Sequence, residues 1–342
     1  MVLWLTLRKL QSRDPEARKA AAKELASAGS GHAKALEALV AQLAAEPVRD
    51  VRCALVEALG ELRSPAAVVP VVNCLDNDEE WAVQIAAATA LGKLASADSV
   101  QPLVRALCRR SPPLRAEACH ALDSMGWQPA DSSLHAWRCI ALKDWKGAVA
   151  LGEDTFAALE TLLQLDDFAT VAEGVTEMGA TPQSAELLVR ALGTSRYDWQ
   201  RLPLLAAAAK LKDRRLVDSI LASLEKLETE EEDARRSGRV LGGSLLYSTL
   251  KKVRTQRLAA IEALGELGDS RAAAALERLR ERLKTRQAAA QEDSHARMVE
   301  TLRARGVDGM ADAAFGSLAV DLDLAEDAKA EDAITAALAR LA

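Results

Sequence analysis

The ten residues from Val51 to Gly60, VRCALVEALG, constrain this chain more than any other stretch. They recur with small changes as ARKAAAKELA at Ala17, AVQIAAATALG from Ala82, LRAEACHALD at Leu114 and QRLAAIEALG at Gln256. Aligned on one frame position, Arg18, Arg52, Gln84 and Arg115 follow each other at steps of 34, 32 and 31 residues. Within a copy, Val51, Ala54, Leu55, Ala58 and Leu59 fall at i, i+3, i+4, i+7 and i+8, which is one face of a helix. Between copies lies a second apolar segment: LEALVAQL from Leu36, VVPVVNCL from Val68 and VQPLVRAL from Val100. The turns SRDPE, RSPAA, DNDEE and RRSPP carry cap and breaker residues. Each unit therefore reads as two short helices. A chain of such units grows by adding modules rather than by enlarging one core.

Composition agrees. Apolar residues make up 49% but aromatics only 3%, and much of the apolar content is Ala and Leu, which favours close-packed helices over sheets. The formal charge of −6, from 44 basic and 50 acidic side chains, counts against a nucleic-acid surface. Five cysteines without a CxxC pair suit buried small apolar positions in a reducing compartment. The start, MVLWLTLRKLQSRD, lacks the long apolar core of a signal peptide, and no apolar run is long enough to span a bilayer. A cytoplasmic location follows as the expectation.

The pieces DPEARKAAAKELA, VRDVRCALVEALGEL, EEWAVQIAAATALGKLASADSVQPLVRAL and EALGELGDSRAAAALERL resemble the short bacterial HEAT-like repeat of the phycobilin-lyase type. That family opens on D-x-x-V-R, centres on A-x-x-A-L-G and continues into a P-L-V-x-A-L helix. The resemblance covers roughly residues 10–125 and 255–283 and implies an all-α fold, an α-solenoid of HEAT-like hairpins in a right-handed superhelix. Tetratricopeptide and ankyrin signatures, which share the period, are absent.

The expected organisation is HEAT-like repeats over 1–127, a Trp-containing inserted hairpin over 128–150 and degenerate repeats over 151–224. An insertion over 225–254 opens with an acidic run, turns at Ser237-Gly238 and carries Gly242-Gly243-Ser244, and it extends or interrupts a helix. A repeat with capping helices follows over 255–306, then an acidic, loosely ordered tail over 307–342 with a last helix from Asp332 onward. Trp127, Trp137 and Trp145 are read as packing the inserted hairpin, with an aromatic peptide pocket as the other reading. A helix break is expected at Asp293-Ser294.

Nothing in the sequence points to catalysis. The four histidines form no HExxH or Cys/His cluster, and no His-Glu dipeptide is present of the kind by which the HEAT-like deoxyhypusine hydroxylases hold iron. GRVLGGS lacks the Lys-Ser/Thr ending and the preceding strand of a phosphate loop. No cofactor, metal or small-molecule ligand is expected. The pairs Asp14 with Arg18 and Asp50 with Arg52 read as a structural ladder between repeats.

The informative surface is the second helix of each unit. Lys34, Glu37 and Ala41 correspond to Ala66, Val69 and Asn73 and to Asp98, Gln101 and Arg105, three exposed stripes of mixed chemistry. The resemblance places second helices on the concave face, so Lys34, Glu37, Asn73, Asp98, Gln101 and Arg105 are the expected partner-binding residues there. The distal positions Arg271 and Arg278, with Arg282 a turn later, make the C-terminal end more basic and favour an acidic patch on a protein partner. The expected function is a non-catalytic protein-interaction scaffold of unknown partner, without membrane contact. The alternatives are an accessory or lyase-like protein acting on a chromophore-carrying protein, and a DNA-binding HEAT-like protein, against which the mixed stripes count.

Overall fold

A computed structural model describes the backbone of residues 3–27, 33–241, 243–305 and 310–342. Side chains are described for these except residues 198, 237–241, 243–247, 293–305 and 310–323. The Gly242-Gly243-Ser244 turn expected in the insertion lies outside the described side chains. Among the described residues every regular element is helical. The chain divides into two compact units, residues 1–167 and 168–342.

In the first unit, α1 (Leu3–Leu10) and α2 (Pro15–Ala26) are followed by α3 (Ala33–Ala45), α4 (Arg49–Glu61), α5 (Val68–Asn77), α6 (Trp81–Leu94), α7 (Ala97–Leu107) and α8 (Pro112–Ser124). Several of these helices begin at a cap or breaker in the sequence. Asp14 accepts from the Glu16 amide at 3.0 Å, Ser96 caps α7, and Pro112 follows Ser111 into α8. The copies of the repeated stretch form one layer, α2, α4, α6 and α8, and the intervening segments form the other, α3, α5 and α7. Leu55, Leu59, Leu75, Leu91, Leu103 and Leu122 fill the space between them and are fully buried.

The first layer is the more closely spaced. A Cβ added to Gly60 would lie 2.8 Å from both Cα and Cβ of Ala90, so the glycine of A-L-G is what lets α4 meet α6. By contrast α5 meets α7 over a shorter stretch, and α3 and α5 scarcely touch.

The inserted hairpin is α9 (Ser132–Ala141) and α10 (Trp145–Ala150), followed by α11 (Glu153–Gln164). Trp137 is buried and Trp127 and Trp145 are half-buried, positions that suit packing.

The frame arginines tie the unit together, with partners other than those the sequence suggested. Arg18 pairs bidentately with Glu46, at 2.8 and 2.6 Å, and donates to the carbonyls of Ser12 and Arg13. Arg52 makes the same set of bonds, to Asp78 at 2.8 and 2.9 Å and to the Pro47 carbonyl. Gln84 keeps only the backbone half, donating to the Asp78 carbonyl at 2.6 Å. Arg115 reaches Asp167 at 2.8 Å, across the inserted hairpin. Asp14 and Asp50 do not take part: Asp14 caps α2 and Asp50 pairs with Arg49. The guanidinium reaches one turn back and one repeat forward, because a side chain at the first turn of a helix points toward the loops at that end of the stack.

The second unit comprises α12 (Phe168–Met178), α13 (Pro182–Thr194), α14 (Asp198–Leu211), α15 (Val217–Leu241), α16 (Gly243–Leu267), α17 (Ala273–Arg305) and α18 (Met310–Leu341). Here α12, α14, α16 and α18 form the close layer and α13, α15 and α17 the other. Three expectations are corrected. The turn expected at Ser237-Gly238 is absent, since both residues lie inside α15, and the acidic run extends a long helix. The break expected at Asp293-Ser294 is absent, since α17 runs on to Arg305. The last helix, expected only from Asp332, begins at Met310 as α18, and it docks through buried Asp327, Ala330, Ile334 and Ala337. Ala337 is 2.9 Å from where a Cβ on Gly265 would stand, the same close approach as in the first unit. This stripe has helical spacing, but Ile334 is its one large apolar residue beside two alanines and an aspartate.

Candidate functional site

The second unit holds a groove between α15 and α17. Asp218 pairs with Arg271 at 2.9 Å, and Glu228, further along α15, pairs with Arg282. The two ties advance together, ten residues on one side and eleven on the other, so α15 and α17 run parallel. They stay far enough apart to leave a trough between them. Its first part, of about 380 Å³, has a floor of Leu221, Leu224, Ala275 and Leu279. Glu225, Glu228 and Glu232 form the α15 wall, and Arg271, Arg278 and Arg282 form the opposite one. A second part, of about 620 Å³, continues past Glu232 and Arg235 on one side and Thr285, Arg286 and Ala289 on the other.

The Arg282–Glu228 pair lies between the two parts and lines both. Burial pushes the Glu228 carboxyl above its usual value, although Arg282 and Arg257 pull it down. Glu225 and Arg278, facing each other across the trough, make no hydrogen bond or ion pair with another described residue.

Beneath the second part lies a buried charge cluster. Glu231, 3% exposed, is approached by Arg257 at 2.6 Å, Arg286 at 3.1 Å, Arg235 at 3.2 Å and Arg254 at 3.5 Å. Asp327 of α18 pairs with Arg257 at 2.9 Å and with Arg286. Burial opposes ionisation of Glu231, but Arg257, Arg286, Arg235 and Arg254 outweigh it and hold the carboxyl at about 2. Arg257 occupies the frame position of Arg52 in QRLAAIEALG, so this cluster is the second unit's elaboration of the ladder. Sequence reasoning missed Glu231, Arg286 and Asp327. The signal was present in the frame arginine at 257 and the acidic run beginning at Glu228.

All eight sequence-predicted binding residues are exposed, and they fall on two separate surfaces. Lys34 and Glu37 on α3, Asn73 on α5, and Asp98, Gln101 and Arg105 on α7 line one ridge of the first unit. Asn73 accepts from Asn77 at 2.9 Å, and Arg105 shares Asp76 with Arg109, each at 2.8 Å. All six lie on the second helices of their hairpins, as the repeat frame placed them. Arg271 and Arg278 belong to the groove, where Arg271 also binds Asp269 and the Arg214 carbonyl. The basic end expected there is faced by acids on α15, so the surface is two-signed.

Burial raises the pKa of all five cysteine thiols. Burial pushes the thiols of Cys74, Cys108 and Cys119 up to about 11, leaving them protonated at neutral pH. Among the described residues no group of three or more His, Cys, Asp or Glu is placed to hold a metal ion. No described helix is long and apolar enough to cross a membrane.

The family model for HEAT repeats matches residues 4–78 and 68–178, and that for the PBS lyase HEAT-like repeat matches residues 256–285. No curated protein matches the sequence. Among solved structures, a chain of the CpcE–CpcF complex of phycocyanin lyase from Nostoc sp. PCC7120 is 18% identical, with a TM-score of 0.35, over 75% of this chain and 95% of that one. An engineered protein is 17% identical, TM-score 0.30, over 99% of this chain and 98% of its own. Importin beta is 16% identical, TM-score 0.31, over 90% of this chain and 44% of its own. The HEAT-repeat matches run from residue 4 to residue 178, which is 175 of the 342 residues, and the stacked helical hairpins agree with them. The chain belongs to the HEAT repeat family.

Proposed function

We propose that this chain is a non-catalytic scaffold that holds a segment of a partner protein in the groove between α15 and α17. The observation that carries this reading is the trough itself, with an apolar floor between an acidic and a basic wall whose facing charges, Glu225 and Arg278, lack partners among the described residues. Interfaces with apolar cores and polar rims favour such surfaces, and opposed charges fix the register of what enters. Of the residues singled out from sequence, Arg271 and Arg278 take part in binding. The ridge from Lys34 to Arg105 serves as solvated surface.

The test is a charge swap. Glu228→Arg combined with Arg282→Glu keeps an ion pair across the trough while reversing its polarity. Partner proteins retained by the wild-type chain on affinity capture are expected to fall at least tenfold with the swapped chain, while thermal unfolding stays within a few degrees. Equal retention by both proteins would remove the groove from the binding surface.

A further inference from the structure

Resting on that reading, we infer that the occupant of the groove is an amphipathic α-helix with a basic flank and an acidic flank, and that the order of its flanks sets the direction in which it lies. The floor offers Leu221 and Leu224 from one side and Ala275 and Leu279 from the other, a strip for an apolar helical stripe. From Leu221 to Arg235 the α15 wall spans about 21 Å at 1.5 Å per residue, room for roughly four turns of a guest helix. The α15 wall carries Glu225, Glu228 and Glu232 and therefore takes Lys or Arg. The opposite wall, Arg271 in the turn before α17 and Arg278 and Arg282 on α17, takes Asp or Glu.

A guest charged with one sign on both flanks meets attraction on one wall and repulsion on the other. A guest with mixed flanks meets attraction on both. On entry, its base takes Glu228 and its acid takes Arg282, so the pair spanning the trough is exchanged for two pairs, with no charge left uncompensated. Glu225 and Arg278 gain partners in the same step.

Direction follows from symmetry. The walls lie left and right of parallel helices, and turning a helix end for end exchanges its left and right flanks. A guest with basic and acidic flanks exchanged satisfies both walls only by lying the other way round.

Four synthetic 18-residue helices test this against the full chain, read by fluorescence anisotropy at low salt. All carry one Leu stripe at helical spacing. One has Lys on the left flank and Glu on the right, one has these exchanged, one has Lys on both flanks and one has Glu on both. Both mixed peptides are expected to bind with similar affinity, and each same-sign peptide about tenfold or more weakly. A photoreactive group at the peptide N-terminus is expected to label the Leu221 end of the groove with one mixed peptide and the Arg235 end with the other. Equal or tighter binding of a same-sign peptide overturns the inference, as does labelling at the same end by both mixed peptides. Failure of all four to bind also overturns it. The scaffold reading is judged separately by the charge swap, which uses the natural partner and assumes nothing about its shape.

Discussion

Glu231→Gln is expected to cost about 3–5 kcal/mol of stability, because it leaves a cluster of buried and half-buried guanidinium groups facing a neutral amide. Arg254 and Arg257 are 3% and 2% exposed, so water cannot screen them from one another once the carboxylate is gone. The effect is read in urea denaturation as a lower midpoint. In hydrogen exchange it appears as faster exchange confined to α15–α18. The pH dependence checks the cause. The folded carboxyl sits at about 2, below the roughly 4.3 of an unfolded glutamate, so its contribution is complete above the unfolded value and is lost as pH falls toward the folded one. The wild-type chain should therefore lose stability between about pH 4.3 and pH 2 more steeply than the variant. Parallel curves would show that Glu231 does not carry the cluster.

Arg115→Ala is expected to have an effect of similar size in the first unit, about 3–5 kcal/mol. The Arg115 side chain is 1% exposed and donates at 2.8 Å to the carbonyls of Arg109 and Arg110 and to the Asp167 carboxylate. Removing it strips a donor from two carbonyls and a counter-charge from a carboxylate that is 7% exposed. Arg115→Lys should recover little, since an ammonium lacks the fork that serves loop and carboxylate together. Arg105→Ala is the control: its side chain is 55% exposed, and loss of its pair with Asp76 should cost less than about 1 kcal/mol. Thermal and urea melts of the three variants decide the matter. An Arg115 loss no larger than that of Arg105 would reduce the ladder to decoration.

The fold was legible because the information that sets it is local. Helical spacing in VRCALVEALG, the caps before each helix and the glycine of A-L-G all lie within one module. The same reading found the frame arginines but gave them the wrong partners. Arg18 and Arg52 have an aspartate close by in sequence, whereas their carboxylates lie 28 and 26 residues downstream. No short-range pattern distinguishes Glu46 or Asp78 from other turn acids. The last helix was legible only from Asp332: α18 docks through Ile334 and Ala337 but also through Ala330 and the buried carboxylate Asp327, which reads as a surface charge in sequence. Of the groove, only the basic wall was visible, as Arg271, Arg278 and Arg282 one or two turns apart. Its acidic counterpart meets it across 54 residues, from Glu228 to Arg282, a pairing that becomes defined only when α15 and α17 are laid side by side.

Site-resolved crosslinking tests the central claim most directly. A photoreactive amino acid placed singly at Glu225 or Thr229 in the groove, or at Lys34 or Gln101 on the ridge of α3, α5 and α7, reports which surface the bound partner touches. The account predicts adducts from the two groove positions and none from the ridge. Adducts from Lys34 or Gln101, with none from Glu225 or Thr229, would contradict it.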